Sequence, residues 1–399
     1  MATPLRSFIK ELNRYKILNT IRSFGLISRI DLSRESGLSQ ASITGLTAEL
    51  TKEGLIEEKK SGAYEGGRRP MLLSICPDGA FVIGVDLSIS SINVVIMNLQ
   101  AEIKSFNSTK LNKKNYTAEE IVDLTAQAIQ ECMWEAAFSK DQISGVGIGI
   151  PGLVDSNSGI IRFLPNYGWE NVNFRDMLQK KINHPTYIDN SSNNLACTEQ
   201  WFGEGKGIDN FVVITIENGV GSGTIINGQL VRGFSGTASE FGHITVDPEG
   251  PLCRCGKRGC VEAFCGNNSI IRDAVEAYNK GLIDFNSIEN ITFEDILEKI
   301  NTHEDVLKKI YIPAGKMLGM GISHLIAMLN PNKIIITGKG VKAGDMLFDS
   351  MYESVDECIS KKFGNYGTQI IIKDWTREDW AKGAGTLVLT EIYKSPVQK

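Results

Sequence analysis

Residues 236–262 read GTASEFGHITVDPEGPLCRCGKRGCVE and place His243, Cys253, Cys255 and Cys260 within eighteen positions. One imidazole and three thiolates form a closed tetrahedral set for Zn²⁺, with no open position for a catalytic water. The pattern therefore predicts one structural zinc per chain, pinning a loop. Two carboxylates of the same stretch, Glu240 and Glu262, stand outside the ligand set and are left to face something else. A disulfide reading fits less well, because the two positions of Cys-x-Cys splay their Cβ atoms. The opening MATPLRSFIKELNRYKIL also lacks the long apolar core of a secretory signal. The other cysteines, Cys76, Cys132, Cys197, Cys265 and Cys358, are scattered and read as buried free thiols. Thiolate metal ligands and unpaired thiols point to a reducing cytoplasm.

The motif is long and mixed in residue type. His-x9-Cys-x-Cys-Gly-x-x-Gly-Cys-x-Glu, preceded by Gly-x-x-x-Glu-x-Gly-His, resembles the signature of the ROK family of repressors, open reading frames and sugar kinases. Its regulators include ones responsive to xylose, N-acetylglucosamine or glucose. The resemblance implies a duplicated actin-like ATPase (sugar kinase-like) body of two lobes, with ligands in the cleft between them.

The chain on either side agrees. Residues 1–75 carry 12 Lys/Arg against 8 Asp/Glu, whereas the remainder carries 30 against 39. A basic end on an acidic body suits a nucleic-acid-binding head. Leu5, Phe8, Ile9, Leu12, Ile17, Leu18 and Ile21 recur at helical spacing over 5–24, and Gly25 stops that helix. Ser28, three positions before Asp31, starts a second helix carrying Ile30 and Leu32. Gly37 makes the turn, and Ser39 caps a third helix that buries Ile43, Leu46 and Leu50. LIEEKK (55–60) and RRPMLLSI (68–75) read as two strands around the loop SGAYEGG. Together these predict a winged helix–turn–helix over residues 1–76. The start of the third helix would meet base edges through Ser39, Gln40, Ser42 and Thr44. Gln40 can address adenine through two hydrogen bonds, and Arg68 and Arg69 can enter a minor groove or neutralise phosphate. A dimerisation or protein-docking head is the competing reading.

From Phe81 three strand candidates, FVIGVDLS, SINVVIMNL and AEIKSFNS, precede a helix at about 117–138 and the strand ISGVGIGI. Near Asn210 the pattern recurs as FVVITIENG, GSGTIING and QLVRG. Pattern alone supports an α/β body of two lobes, drawn here as residues 77–190 and 191–399. The segment 313–329, rich in Ala, Gly, Met and Leu, is expected to be buried between lobes, and no apolar run looks long enough to cross a bilayer.

The family's kinases carry Asp-x-Gly-Gly-Thr in the first lobe, Gly-Thr-Gly in the second and a catalytic Asp in Asn-Asp-Ala-Asn. This chain departs at each place. The first loop is Asp86-Leu87-Ser88-Ile89-Ser90, and the second is Glu217-Asn218-Gly219-Val220-Gly221. Alignment through Ala196 and Glu199 puts Ser191 where the base should be. Side chains would fill space that backbone needs to approach phosphate, Glu217 would repel it, and a lone serine is no base. Phosphoryl transfer is therefore expected to be lost, and no catalytic residue is assigned. The resemblance assigns sugar hydroxyls to Asn166, Asn190, Ser191, Glu240, His243 and Glu262. The alternative is that these polar groups only brace the zinc loop.

The reading is a sugar-responsive regulator, a repressor on balance, with double-stranded operator DNA and a small sugar as partners. Sugar binding would close the lobes and change the spacing of two heads in a homodimer or homotetramer. A protein signal such as a sugar-transport component, and a kinase with an added head, are the alternatives.

Overall fold

Capping residues and turn glycines set the first helices. In the computed structural model, which describes residues 4–60, 71–113, 115–285, 291–359 and 367–393, the head opens with α1 (Pro4–Phe24), β1 (Ile27–Ser28), α2 (Arg29–Ser36) and α3 (Gln40–Lys52). The Ser28 side chain accepts from Asp31 N, the Ser39 side chain accepts from Ser42 N, and Gly37 sits at φ 69° between the two helices. Then come β2 (Ile56–Lys60) and β3 (Met71–Ile75), forming with β1 a sheet in the order β1-β3-β2. Ile17, Ile21, Leu32, Ile43, Leu50, Ile56 and Leu73 are buried. Ile30 is 72% exposed, and Phe8 and Ile9 also face outward, so the apolar stripe read from sequence is buried only in the second half of α1. The loop 61–70, with Arg68 and Arg69, lies outside the described residues.

The body's first repeat comprises β4 (Phe81–Leu87), β5 (Ser91–Asn98), β6 (Ile103–Lys110), α4 (Ala118–Glu135) and β7 (Ile143–Ile150). After it come β8 (Leu153–Asp155), β9 (Ile160–Leu164), β10 (Trp169–Val172), α5 (Phe174–Ile182) and β11 (Thr186–Asn190). The second repeat follows α6 (Ser191–Phe202) with β12 (Phe211–Ile216), β13 (Val220–Ile226) and β14 (Gln229–Leu230). It continues through α7 (Val261–Cys265), α8 (Asn267–Asn279), α9 (Phe293–Glu298), α10 (Glu304–Leu329) and β15 (Lys333–Thr337). The chain closes with α11 (Asp345–Cys358), β16 (Gln369–Ile372) and α12 (Arg377–Ile392). The sheets are ordered β11-β7-β4-β5-β6 and β14-β13-β12-β15-β16. In each, an antiparallel meander is extended by two parallel strands, so the duplication is explicit in the topology.

Two compact units result: residues up to Ser191 together with those from Trp380 onward, and Ser192–Asp379. The expectation that the second lobe runs to residue 399 is corrected here. The small residues of α12 explain why. A Cβ on Gly84 of β4 would overlap Ala381 O, and one on Gly147 of β7 would overlap Ala384 O. Only glycine on the strands and Ala or Gly on the helix permit this approach, so α12 belongs with the first sheet. The head lies in the same unit.

The second unit has its own core, in which Leu307, Tyr311, Ala314, Leu318, Ile322 and Ile326 of α10 pack with Leu347, Phe348 and Met351 of α11. The apolar segment read as 313–329 therefore starts nine residues earlier and lines the core of its own unit. By length and mean hydropathy alone α10 is long enough to span a bilayer, contrary to the sequence expectation; half of its most apolar window is buried in the protein. Cys132, Cys197 and Cys265 are buried, whereas Cys76 is half-buried and Cys358 exposed.

Substituting Gly147→Ala should lower stability by about 1–3 kcal/mol through overpacking against α12. Urea unfolding checks this, and an unchanged midpoint would mean that α12 is not seated there.

Candidate metal centre and effector cluster

After β14 the chain runs through an irregular loop to a short turn at Phe241–His243. It then folds back so that Thr245 pairs with Cys260 and Leu252 with Arg258. Between these pairs the Cys-x-Cys-Gly segment forms a tight knuckle. Cys253 N donates to Lys257 O at 2.8 Å, and Gly256 N donates to Cys253 O at 3.0 Å. Gly256 and Gly259 hold φ of 89° and 65°, values that other residues rarely adopt. Lys257 Nζ reaches back to His243 O at 2.6 Å.

The result brings the four predicted ligands together, with ligand atoms of His243, Cys253, Cys255 and Cys260 all within 4.8 Å of one another. Cys253 Sγ lies 3.5 Å from His243 Nδ1, and Cys255 Sγ lies 3.7 Å from Cys260 Sγ. A tetrahedron with metal–sulfur bonds of about 2.3 Å has sulfur–sulfur edges of about 3.7 Å; a disulfide needs about 2.0 Å. The set fits a metal ion. Burial pushes the Cys253 thiol up to about 12 and raises that of Cys260 as well, so a bound cation is what would make them thiolates near neutral pH.

The carboxylates outside the ligand set differ sharply. Glu240 is partly exposed, with Oε2 3.9 Å from the outer nitrogen of His243, Nε2. Burial raises its carboxyl above the usual range. Glu262, two residues after the last ligand and in the first turn of α7, is buried. It accepts Arg254 Nε at 2.6 Å, Arg254 Nη2 at 3.1 Å and Val220 N at 3.0 Å. Burial alone pushes this carboxyl up, but the guanidinium and the amide outweigh it and hold the group below the usual carboxylate range.

In the other unit, Asn166 lies in the turn between β9 and β10. Asn190 ends β11, and its Nδ2 donates to Gly152 O at 3.0 Å. Ser191 begins α6 with its Oγ buried and without a hydrogen-bond partner. Asp189 is buried, and its Oδ1 accepts from Asn190 N at 2.7 Å. At the head, Ser39 Oγ is committed to the α3 cap, and Thr44 Oγ1 donates to Gln40 O at 2.9 Å. Gln40 is exposed at the start of α3.

The two loops that depart from the kinase motifs are hydrogen-bonded within the chain. In the first, Ser88 N donates to Ser91 O and Ser91 N to Ser88 Oγ, both at 3.0 Å. In the second, Glu217 Oε1 accepts from Lys339 N at 2.8 Å, and Glu262 takes the Val220 amide. Arg254 and Lys339 were missed in sequence. Arg254 could have been suspected as the one cation between ligands Cys253 and Cys255, eight positions from Glu262. Nothing in the sequence ties Lys339 to Glu217, 122 positions away.

The purified protein should hold one tightly bound divalent metal per chain. Cys255→Ala or a strong chelator should lower Tm by several degrees, since such a site contributes folding free energy. Metal analysis beside a thermal melt checks this, and an unchanged Tm after complete metal loss would refute a structural role.

Known proteins align along most of the chain. A xylose repressor of Caldicellulosiruptor bescii is 30% identical over 357 residues, covering 88% of this chain and 89% of its own. The N-acetylglucosamine repressor of Escherichia coli O6:H1 is 26% identical over 355 residues, covering 89% and 87%. Among solved structures, a ROK family transcriptional regulator, homolog of the E. coli MLC protein, superposes with a TM-score of 0.82 at 27% identity, covering 97% of each chain. A ROK family glucokinase from Streptomyces griseus, solved with glucose and AMPPNP, gives 0.68 at 28% identity, covering 77% of this chain and 99% of its own. The kinase-like body thus has the actin-like ATPase fold, and the ROK family model matches residues 82–391, so the chain belongs to the ROK family.

Proposed function

We propose that this protein is a sugar-responsive, DNA-binding transcriptional regulator, a repressor of carbohydrate-metabolism genes, that has lost phosphoryl transfer. The observation that carries the reading is the Glu217 carboxylate in the second loop: its Oε1 accepts from Lys339 N at 2.8 Å, setting a negative charge of the chain itself where a kinase would bring nucleotide phosphate. Ser191 at the position of the base adds to it, since no carboxylate stands there. Full-length similarity to repressors supports the regulatory half of the proposal.

The head is proposed as a winged helix that meets operator DNA through Gln40 and Ser42, with Ser39 and Thr44 beside them and Arg68 and Arg69 on phosphate or in a minor groove. The metal is proposed to be a structural zinc, on the all-nitrogen-and-sulfur ligand set. Sugar hydroxyls are assigned to Glu240, His243 and Glu262 in one unit and to Asn166, Asn190 and Ser191 in the other. The protein would act in the cytoplasm as a homodimer or homotetramer, and effector binding would alter the spacing of two heads over paired half-sites.

Fluorescence anisotropy of the zinc-replete protein on its own upstream DNA, at fixed salt, tests this against xylose, glucose and N-acetylglucosamine. Tight binding relieved by one sugar is expected. Gln40→Ala should weaken operator binding about tenfold, in line with roughly 1–3 kcal/mol for a two-bond base contact. Sugar-dependent ADP release from Mg·ATP would overturn the loss of catalysis. Operator binding indifferent to every sugar would favour a protein signal.

A further inference from the structure

Glu262 is assigned to sugar hydroxyls, yet its acceptor positions are already taken. Oε1 accepts Arg254 Nε at 2.6 Å and lies 3.7 Å from Cys253 Sγ. Oε2 accepts both Arg254 Nη2 at 3.1 Å and Val220 N at 3.0 Å. A carboxylate offers about four lone-pair sites, and this side chain is only 5% exposed. No room remains for two hydroxyls unless a present donor leaves.

The two donor groups differ in freedom. Val220 is the first residue of β13, and its amide is fixed by the sheet. Arg254 is anchored at its backbone between two ligand cysteines, but its side chain is 50% exposed. Gly219 leaves the space in which this fork lies, since a Cβ there would overlap Glu262 Oε2 and come within 3.1 Å of Arg254 Nη2. Glu240 is within electrostatic reach of the same guanidinium and offers it a second carboxylate.

We propose that Arg254 is a latch on the effector cluster: it holds the hydroxyl-accepting positions of Glu262 in the free protein, and a neutral sugar binds by displacing it. The inference rests on the assignment of Glu262 to sugar hydroxyls made above. The exchange keeps the hydrogen-bond count, because two N–H donors of one planar fork leave and two O–H donors of adjacent hydroxyls arrive, and it gives up the charge assistance of the guanidinium. A single hydroxyl cannot replace the fork, so the ligand class is a sugar presenting a vicinal diol. A phosphorylated or carboxylated sugar is disfavoured. It would bring a negative charge to the Glu262 carboxylate just as the guanidinium paired with it departs. Holding the latch closed lowers the apparent affinity by the fraction of molecules in the open state.

Calorimetric titration of full-length, metal-replete protein with xylose, glucose, N-acetylglucosamine and glucose 6-phosphate tests this, with metal content and Tm measured on every variant. Arg254→Ala is expected to tighten binding of the neutral sugar about tenfold, with one metal retained. Arg254→Lys, a point charge in place of a fork, is expected to fall between. Neutral-sugar binding that is unchanged or weaker in both variants overturns the latch and leaves the sugar-responsive reading standing. So does preferential binding of glucose 6-phosphate by the parent protein. Absence of binding by any protein, with operator binding intact, overturns the hydroxyl assignment of Glu262 and the latch with it. If Arg254→Ala loses its metal, Arg254→Lys decides alone: tighter binding supports the latch, and equal binding refutes it.

Discussion

Four ligand atoms within 4.8 Å sit at the centre of an irregular segment and would pin it through one metal ion. Between His243 and Cys260 the backbone makes two isolated bridges and a knuckle, with no extended strand. The apolar cluster at its centre is Cys253, Cys260 and Ala263. Burial on that scale adds little to so irregular a loop, and a metal on the four ligand atoms would add order to what the loop's own hydrogen bonds supply. Consequences then run outward along the chain. Cys260 is the N-cap residue of α7, and Glu262 stands two positions on, in its first turn. His243 turns Nδ1 towards the thiols and Nε2 towards Glu240. Each carboxylate assigned to an effector is therefore positioned by a ligand beside it, which is the outer-sphere arrangement expected around metal-bound imidazole.

The same segment reaches the turn between β12 and β13, where Glu262 accepts from Val220 N at 3.0 Å. A backbone amide binds a carboxylate for the reason it binds a phosphate oxygen: a fixed dipole pointing at a localised negative charge. Glu217 and Glu262 supply that charge from within the chain. An intramolecular anion is always present at high effective concentration, so a nucleotide would have to displace it as well as bind. Asp86 contributes at the other loop by accepting from Asn93 Nδ2 at 3.1 Å. The missing glycines of the first loop and the Glu217 carboxylate of the second thus act in the same direction.

Local chemistry was legible in the sequence and distant pairing was not. The caps at Ser28 and Ser39, the left-handed Gly37 and the order of the strands in both repeats follow from rules spanning a few residues. The four metal ligands were legible because donor type and spacing restrict the answer strongly. Glu262 was assigned as a free carboxylate because no spacing rule connects it to Arg254 or to the Val220 amide, 42 positions away. Ile30 looked like core because it lies in the same helix as Leu32, yet residues two positions apart point about 200° around the axis, onto nearly opposite faces. The domain boundary failed for a related reason. What draws α12 to the first sheet is an absence of side chains on Gly84 and Gly147, and glycine in a strand reads from sequence as weakness instead of contact.

That misplaced helix bears on how the head is held. In its own unit, α12 lies on β4 and β7 and is followed by Tyr393, whose carbonyl accepts Asn19 Nδ2 of α1 at 2.9 Å. The Arg22 guanidinium of the same helix stands 5.7 Å from the Tyr393 ring centroid. A second tie joins the end of the head to the start of the body, where Cys76 N donates to Leu55 O at 3.0 Å and a Cβ on Gly79 would overlap Gly54 O. Two separate attachments remove the free rotation that a single linker would leave. A head tied at both places shares one compact unit with β4 and β7, so a displacement of that sheet would be passed to α1 through α12 instead of being lost in a tether. That property is what a regulator needs if the state of its body is to be read at DNA, and it depends on small residues in α12 as much as on any group that touches a ligand.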